Sequence, residues 1–507
     1  MRIATRALDI TRDEPRLHRS NRAAPASQRR VRPALPIAIR CPQEPCVRFL
    51  PAPEHEQRQP RCPGRFPRAG ELALTFVRLF GEASQPVLVA LGGTRSPFLP
   101  VDHRFGSIVL SVAELREVVY VDGVRTAFGR ATPDGYFAKT RADDMAVKAV
   151  REVLRRNPQL PHEKIDDVVF AATAQVGDQG LTLGRDVALL AGLPKSVPGF
   201  AVDRMCAGAL TATTAGAGEI AMGAAGVVLV GGVEHMGHHP MGEDVDFNPR
   251  FIAERIVDDS AAVMGQTAEN LHDAFPHLTR EAADAYAVES QRRAGKAWDD
   301  GVMDGIVVPM SVFTDDGWTV ASRDQFLRPD TTIEALAGLR TPFRAGGRVT
   351  AGNSAGLTDG ATAALIASAE AAAELGLEPK MRLVGFAYTG VEPELMGLGP
   401  VPATHKVLER AGIGIDDIDL FELNEPFAVQ VLTWCDGVGV APDDPRLNPY
   451  GGAIACGHPL AATGVRLMAQ LARGFSDRPG SRYGLTALCI GLGMGAAILW
   501  ENLQNGG

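Results

Sequence analysis

The segment that decides the fold is Val202-Asp203-Arg204-Met205-Cys206-Ala207-Gly208, where one cysteine separates a short apolar strand from a run of small residues. That run predicts a helix, and residues 227–230 (Val-Val-Leu-Val) predict a strand that is apolar on both faces, as buried parallel strands are. Cys206 is therefore predicted to lie where a strand meets a helix. If the helix begins at Cys206 itself, its free backbone N–H groups and its dipole are expected to lower the pKa of the thiol.

A weaker copy of this pattern lies near the C-terminus. Residues 453–493 predict a strand, then His458, a helix, and a second strand over residues 485–490 that carries Cys489. Each copy places a reactive side chain where a strand meets a helix. Two similar halves that pack together would bring Cys206, His458 and Cys489 into one cleft.

The remaining chain alternates strands with helices. Residues 118–121 and 168–171 are short apolar runs typical of strands, and apolar side chains at three-to-four spacing predict a helix over residues 142–156. This alternation predicts an α/β architecture. Residues 238–348 lack the rhythm, and we interpret them as a mainly helical insertion with long loops.

Composition argues against several classes of protein. The net charge of -9 disfavours nonspecific binding of nucleic acid, and no apolar run approaches the roughly 18 residues that a membrane-spanning helix needs. The seven cysteines lack the spacing of a disulfide framework or a metal site, which indicates a reducing, cytoplasmic environment. His235 and His238 flank Met236 without a third spaced ligand, so they are interpreted as loop histidines and no metal site is predicted.

The first 110 residues differ from the rest, since they contain 14 of the 35 prolines, 18 arginines against 9 acidic residues, and no lysine. Apart from a possible short helix over residues 71–80, a segment of this composition buries too little apolar surface to offset the entropy of ordering. Residues 1–114 are therefore predicted to be disordered or an artefact of a start codon assigned too early. A mitochondrial-type leader and a basic tail for an acidic partner are the alternatives. Cys41, Cys46 and Cys62 lie in this segment and are not expected to be functional.

Seven motifs, in order along the chain, resemble those of the thiolase family. Besides the Cys206 segment they are Gly232-Val233-Glu234-His235-Met236-Gly237-His238, Arg323-Asp324-Gln325-Phe326-Leu327-Arg328-Pro329, Gly397-Leu398-Gly399-Pro400-Val401-Pro402-Ala403, Asn424-Glu425-Pro426-Phe427, Gly451-Gly452-Ala453-Ile454-Ala455-Cys456-Gly457-His458-Pro459 and Cys489-Ile490-Gly491-Leu492-Gly493-Met494-Gly495. The pieces Glu-His-Met-Gly-His and Arg-Pro-Asp-Thr-Thr-Ile-Glu-Ala-Leu are most similar to bacterial 3-ketoacyl-CoA thiolases of fatty-acid oxidation.

The resemblance extends over about residues 115–502 and implies a thiolase-like α/β fold. In that fold two similar halves form a layered α-β-α-β-α core. The implied domains are residues 115–237 and 349–378 for the N-terminal half, 238–348 for a helical loop insertion, and 379–507 for the C-terminal half.

The resemblance and the side-chain chemistry together imply catalytic roles for five residues. Cys206 is the expected nucleophile and His458 its activator, since a thiolate is the reactive form and imidazole titrates near neutral pH. Cys489 is the expected acid and base for the acetyl-CoA enolate. The N–H groups of Gly491 and Cys206 are expected to stabilise an oxyanion, and Asn424 to position a water that completes a second oxyanion site with His458.

Simpler structural interpretations exist for the same residue types. Free cysteines are often buried in cores, and asparagine is common in turns. The motifs around Cys206, His458, Cys489 and Asn424 favour the catalytic interpretation. Cys456 is predicted to point away from His458 in extended chain and to serve only in packing.

Ser354 and Ala355 are implied to contact coenzyme A. In the family a serine that contacts the pantetheine arm falls at Ala355, so one hydrogen bond to coenzyme A is in question. Gly208 stands where the family usually has serine, Ala461 where it usually has glycine, and Pro426 where alanine is common. These departures bear on coenzyme A affinity and chain-length preference, and they leave the catalytic atoms in place.

The implied activity is that of a 3-ketoacyl-CoA thiolase, an acyltransferase that moves an acyl group to coenzyme A through a Cys206 thioester and releases acetyl-CoA in fatty-acid β-oxidation. The alternatives are an acetyl-CoA C-acetyltransferase that makes acetoacetyl-CoA, and an inactive CoA-binding scaffold. Coenzyme A and acyl-CoA are substrates, and no cofactor is expected. The resemblance also implies a homodimer or homotetramer, and a hydratase–dehydrogenase subunit as a partner.

Overall fold

A computed structural model describes residues 115–243 and 245–504. The predictions for residues 1–114, with their three cysteines and short helix, lie outside the described residues. Within the described ranges, no helix has both the length and the apolar character needed to cross a membrane.

The described residues form strands and helices in alternation through most of the chain. The strands are β1 Val118–Thr126, β2 Gly129–Arg130, β3 Asp167–Ala171, β4 Phe200–Val202, β5 Val227–His235, β6 Val307–Val308, β7 Met310–Thr314, β8 Gly317–Ala321, β9 Thr358–Ser368, β10 Met381–Gly390, β11 Ile418–Leu423, β12 Tyr483–Ile490 and β13 Met494–Asn502. The helices are α1 Ala142–Arg156, α2 Leu183–Ala191, α3 Gly208–Ala221, α4 Arg250–Ala253, α5 Met264–Ala274, α6 Arg280–Asp299, α7 Ile333–Ala337, α8 Ala369–Glu374, α9 Pro400–Ala411, α10 Ala428–Val438, α11 Ala453–Cys456 and α12 Thr463–Asp477.

One 11-stranded sheet runs through both halves, in the order β11-β12-β13-β10-β1-β9-β5-β3-β4, with β2 paired to β9 and β6 to β1. The halves join where β1 and β10 pair over a short antiparallel stretch, with Val119 opposite Arg382 and Tyr120 opposite Met381. In the N-terminal half β3 is parallel to β5, which is antiparallel to β9. In the C-terminal half β11 is parallel to β12, which is antiparallel to β13. Both halves therefore repeat one topology.

Helices cover both faces of each half. α1 contacts β1, β5 and β9 on the outer side of the N-terminal half, and α9 contacts β10 and β13 on the outer side of the C-terminal half. α3 and α12 contact each other between the halves, where a single apolar core includes Tyr120, Leu210, Leu467 and Trp500. The layers follow the order α-β-α-β-α, which confirms the predicted fold.

Most of the predicted elements are confirmed. α1 spans residues 142–156 as predicted, and β1, β3 and β5 contain the three predicted strands. The strand predicted after residue 453 is wrong, because Ala453–Cys456 is a short helix. A run of four small or apolar residues has no period that distinguishes the two states, and here the Ile454 N–H donates to the distant carboxylate of Glu425 at 3.2 Å. Cys456 is therefore not in extended chain, although it is buried as predicted.

The region between β5 and β9 contains α4 to α7 and also the β7–β8 hairpin, which was not predicted from the sequence. α6 packs against α11 and α10. Tyr286 and Ser290 on α6 donate to the Glu425 carboxylate at 2.8 and 2.7 Å. The inserted region is thereby tied to the segment that leads to His458.

Candidate active site

Cys206 lies in a single 3₁₀ turn, Met205–Ala207, between β4 and α3. α3 begins at Gly208, so the condition that the helix begins at Cys206 itself is not met. Met205 has a φ of 45°, which is uncommon for a residue with a side chain, and its N–H donates to Asp203 Oδ1 at 2.6 Å. This tight turn presents Cys206 just beyond the end of β4.

Burial raises the pKa of the Cys206 thiol to about 12. The backbone N–H groups of Gly491 and of Cys206 itself oppose the rise in pKa, whereas the charges of Glu234 and Asp203 add to it. The pKa is raised rather than lowered because desolvation of the thiolate outweighs the nearby N–H dipoles, and the helix start on which a lowering depended is at Gly208. Cys206 is a thiol at neutral pH and needs a base before it can attack.

Cys489 is the penultimate residue of β12 and is buried. Burial raises the pKa of its thiol well above the usual value, and negative charge on Cys206 raises it further, which places the two sulfurs in one site. The chain then turns through Leu492 at φ 60° and Gly493 at φ 72°. This turn leaves the Gly491 N–H beside the Cys206 sulfur.

His458 lies in the loop that leads into the 3₁₀ turn Leu460–Ala462, rather than at the end of a strand. Its Nδ1 is hydrogen-bonded to Thr463 Oγ1 at 2.6 Å, and the ring is buried. Burial, assisted by the positive charge of Arg466, lowers the pKa of His458 to about 3. At physiological pH the imidazole is therefore neutral.

Asn424 follows β11 and contacts the imidazole of His458. Its Nδ2 lies 3.3 Å from His458 Nε2 and 3.5 Å from Nδ1, so the amide packs against the ring rather than at one nitrogen. Asn424 Oδ1 accepts a hydrogen bond from the buried Arg466 at 3.0 Å. Because Arg466 can only donate, this bond fixes the amide with its N–H groups toward His458.

The predicted site residues come together from both halves. The 3₁₀ turn that carries Cys206 packs against β12, which carries Cys489, and against the Leu460–Ala462 turn after His458. The fit is close, since a Cβ on Gly208 would lie 2.8 Å from Ala461 Cβ. The missing side chain at Gly208 makes room for the extra methyl group at Ala461. Two departures from the family pattern thus compensate for each other.

Ser354 and Ala355 lie beside the loop that follows Asn424. The Ser354 hydroxyl donates to Thr350 O at 2.7 Å, and the Ala355 N–H donates to Pro426 O at 2.9 Å. Both residues therefore use these groups in hydrogen bonds to backbone carbonyls of the protein itself. Their contact with coenzyme A stays a prediction.

Two buried charged residues of the site were not identified from the sequence. Glu425 accepts hydrogen bonds from α6, from Asn448 Nδ2 at 2.8 Å and from the Ile454 N–H, so it braces the segment before His458. Arg466 orients Asn424 and lies 3.7 Å from Glu422. Glu425 could have been identified because it lies in the Asn424-Glu425 motif. For Arg466 the sequence offered only its position in a helix, eight residues after His458.

The two histidines of the Glu-His-Met-Gly-His motif serve local structure. His235 is the last residue of β5, not a loop residue, and its Nε2 lies 3.0 Å from the carbonyl oxygens of Phe137 and Thr140. His238 is in a turn, as predicted, with Nδ1 3.1 Å from Asp178 Oδ2. Among the described residues no three His, Cys, Asp or Glu side chains are arranged to hold a metal ion.

Comparison with known proteins gives consistent matches. The family model for the thiolase N-terminal domain matches residues 118–370, and that for the thiolase C-terminal domain matches residues 377–502. The chain is 42% identical over 408 residues to 3-oxoadipyl-CoA/3-oxo-5,6-dehydrosuberyl-CoA thiolase of Escherichia coli (strain K12), with 77% of this chain and 100% of that protein covered. It is 41% identical over 390 residues to 3-ketoacyl-CoA thiolase of Aliivibrio fischeri, with 76% and 100% covered.

Solved structures match over the same part of the chain. Human mitochondrial 3-ketoacyl-CoA thiolase superposes with a TM-score of 0.70 at 34% identity, and Bacillus anthracis acetyl-CoA acetyltransferase with a TM-score of 0.69 at 34% identity. Each match covers 77% of this chain and 100% of the other. The fold and these matches define an acyltransferase. The chain belongs to the thiolase family.

Proposed function

We propose that this protein is a 3-ketoacyl-CoA thiolase that uses coenzyme A to cleave 3-ketoacyl-CoA in fatty-acid β-oxidation. The products are acetyl-CoA and an acyl-CoA shortened by two carbons. The observation that carries the proposal is the convergence of Cys206, Cys489, His458 and Asn424 from two halves of the chain on one site.

In the first half-reaction the Cys206 sulfur attacks the 3-keto carbon while neutral His458 takes its proton. In the resting site the pKa shifts keep the thiol protonated and the imidazole neutral. They disfavour proton transfer before attack, so the transfer is proposed to be concerted with formation of the carbon–sulfur bond. The bond between the α- and β-carbons then breaks and its electron pair goes to the acetyl-CoA enolate. Cys489 gives its proton to the enolate carbon, which leaves a Cys489 thiolate and an acyl group on Cys206.

In the second half-reaction the Cys489 thiolate takes the proton of coenzyme A, whose sulfur attacks the acyl thioester. Collapse of the tetrahedral intermediate expels Cys206, which recovers its proton from His458. All groups return to their starting protonation states, so the cycle needs only acyl-CoA and coenzyme A. The proposed oxyanion donors are the N–H groups of Gly491 and Cys206 at one position, and His458 with a water held by Asn424 at the other.

Apolar side chains support a fatty-acyl substrate. Cys489 packs in a cluster with Phe427 and Met396, and Met264 and Leu395 border it. Such surroundings suit an alkyl chain better than the second carboxylate of 3-oxoadipyl-CoA. We place residues 353–356 along the pantetheine arm, where Ala355 offers no side-chain hydrogen bond. We also propose a homodimer or homotetramer in the cytoplasm, with a hydratase–dehydrogenase subunit as partner.

The decisive experiment is mass spectrometry of the acyl-enzyme after brief mixing with a 3-ketoacyl-CoA. The acyl group should be found on the Cys206 peptide, and it should be lost in Cys206→Ala but kept in Cys435→Ala, a buried cysteine in another core. An acyl group trapped on Cys206→Ala, or no thiolysis by the wild type at any chain length, would refute the proposal.

A second candidate, synthesis of acetoacetyl-CoA, is favoured by the match to the acetyltransferase of B. anthracis. Thiolysis rates with acetoacetyl-CoA, a long-chain 3-ketoacyl-CoA and 3-oxoadipyl-CoA separate the candidates. The main proposal predicts the highest kcat/KM for the long chain. A marked preference for acetoacetyl-CoA would favour the synthetic enzyme.

A further inference from the structure

A buried carboxylate outside the proposed catalytic set lies between the two halves. Glu234 is the penultimate residue of β5 and is 1% exposed. Its Oε2 accepts hydrogen bonds from the Thr173 N–H at 3.1 Å and the Ala461 N–H at 3.2 Å. Its Oε1 accepts one from Gln179 Nε2 at 3.0 Å. Thr173 and Gln179 belong to the N-terminal half, whereas Ala461 belongs to the C-terminal half.

The residue that Glu234 holds in the C-terminal half is in the turn that follows His458. The N-terminal half holds this turn at a second point, since Thr362 Oγ1 donates to Ala462 O at 2.9 Å. The approach is so close that a Cβ on Gly232 would lie 2.4 Å from Ala461 O. The Leu460–Ala462 turn is therefore docked on β5 and β9, and Glu234 supplies the acceptor for the Ala461 N–H.

The same carboxylate lies beside the proposed nucleophile. Its charge is among the influences that raise the pKa of Cys206, and the Gly208 backbone that follows Cys206 packs on Ala461. Glu234 thus acts on the thiol through its charge, and it contacts the turn that follows the base. Glu425 holds the segment before His458 through the Ile454 N–H. After loss of Glu234, we therefore expect the turn that follows His458 to move and the segment before it to stay in place.

We propose that Glu234 is a positioning residue for thiolysis, which holds the Ala461 N–H and so sets the His458 imidazole against the Cys206 sulfur. The inference rests on the proposed function, because it needs His458 to act on Cys206. Glu234 itself does not reach the substrate in this scheme. Loss of Glu234 should therefore lower kcat and leave the affinity for acyl-CoA unchanged.

The test compares Glu234→Ala with Glu234→Gln. Active sites are counted by acyl-enzyme formation at Cys206, and kcat per active site and KM are measured well below the melting temperature. Because a misplacement of about 1 Å typically costs ~100-fold in rate, Glu234→Ala should lose ~100-fold in kcat with KM within ~3-fold. Glu234→Gln should stay within ~10-fold of wild type, since its side-chain oxygen still accepts from Ala461, while the charge and the hydrogen bond from Gln179 Nε2 are lost because the new NH2 group faces that donor.

Glu219→Gln on α3 is the matched control, a partly buried carboxylate with no contact to either turn, and should keep wild-type kcat. Equal losses in Glu234→Gln and Glu234→Ala, a loss confined to KM, or unchanged kcat in a folded Glu234→Ala would overturn the inference while leaving the proposed function intact. If Glu234→Ala does not fold, wild-type kcat in Glu234→Asp, whose shortened side chain withdraws from Ala461, overturns it equally. A wild type without thiolysis would overturn both.

Discussion

The contact between Gly208 and Ala461 makes a sharp prediction about Gly208→Ala. The new Cβ would lie 2.8 Å from Ala461 Cβ and 2.8 Å from Ala171 Cβ. These neighbours are attached directly to the backbone and cannot rotate away, so α3 or the Leu460–Ala462 turn must move. Overpacking of this kind typically costs ~1–3 kcal/mol of stability, and the movement separates the nucleophile from its base.

The matching substitution Ala461→Gly removes the contact with Ala461 Cβ but leaves Ala171 Cβ at 2.8 Å and the Cα of residue 461 at 3.0 Å. We therefore expect Gly208→Ala/Ala461→Gly to recover part of the loss, with a coupling of ~0.5–3 kcal/mol between the two positions. Gly218→Ala is the control in the same helix, because no atom lies within 4 Å of its new Cβ. That variant should gain up to ~1 kcal/mol, as alanine for glycine does in an exposed helix.

The assay is urea unfolding at constant m-value, together with kcat for thiolysis in each variant. Gly208→Ala should lower the unfolding midpoint and kcat, the double variant should restore both in part, and Gly218→Ala should raise the midpoint. Wild-type stability and rate in Gly208→Ala would refute the steric argument. Strictly additive effects of Gly208→Ala and Ala461→Gly would show that the two residues do not compensate for each other.

Three further predictions follow from the site. Because the pKa of Cys206 is raised to about 12, its rate of alkylation by iodoacetamide should increase ~10-fold per pH unit from pH 7 to 9. The rate is measured by mass spectrometry of the Cys206 peptide, and a rate that levels off in this range would contradict that pKa. The pKa of His458 is lowered to about 3 in the folded protein, whereas in the unfolded chain it lies near ~6.5. As pH falls below ~6.5, the unfolded chain takes up this proton before the folded protein does, so the free energy of unfolding decreases. His458→Gln should then lose less stability than wild type between pH 7 and 5 by urea unfolding, and equal losses would count against a neutral buried imidazole. Cys489→Ala should lose ~100-fold or more in thiolysis and less in exchange of labelled coenzyme A into acetyl-CoA, because exchange needs the coenzyme A proton to be removed but needs no enolate; equal losses in the two reactions would argue against protonation of the enolate by Cys489.

Much of the secondary structure could be predicted from local sequence patterns. The helix over residues 142–156 and the strands around residues 118, 168 and 227 agree with the structure because their apolar spacing matches the faces they bury. The expectation that Cys206 and His458 meet came from a repeat of strand, reactive residue and helix, although the strand expected before His458 is a helix. These features depend on neighbours in sequence, and the sequence contains them.

Features that depend on tertiary contacts were not predictable in the same way. Ala453–Cys456 was expected as a strand and is a helix held by Glu425. The pKa of the Cys206 thiol was expected to be lowered if a helix began there, and burial raises it instead. The bond between Glu234 and Ala461 joins residues 227 positions apart. No spacing rule connects such distant residues, and desolvation of a thiol depends on everything packed around it.

Division of the site between two halves has a consequence for synthesis of the protein. A ribosome releases the sulfur of Cys206 long before the imidazole that activates it. A partly made chain therefore holds the Cys206 thiol without the groups proposed to activate it, and the complete site forms only once the C-terminal strands have docked. Stalled nascent chains that end before residue 424 should take up no radiolabelled acetyl group. Late assembly of the site would thereby protect translation intermediates from premature modification.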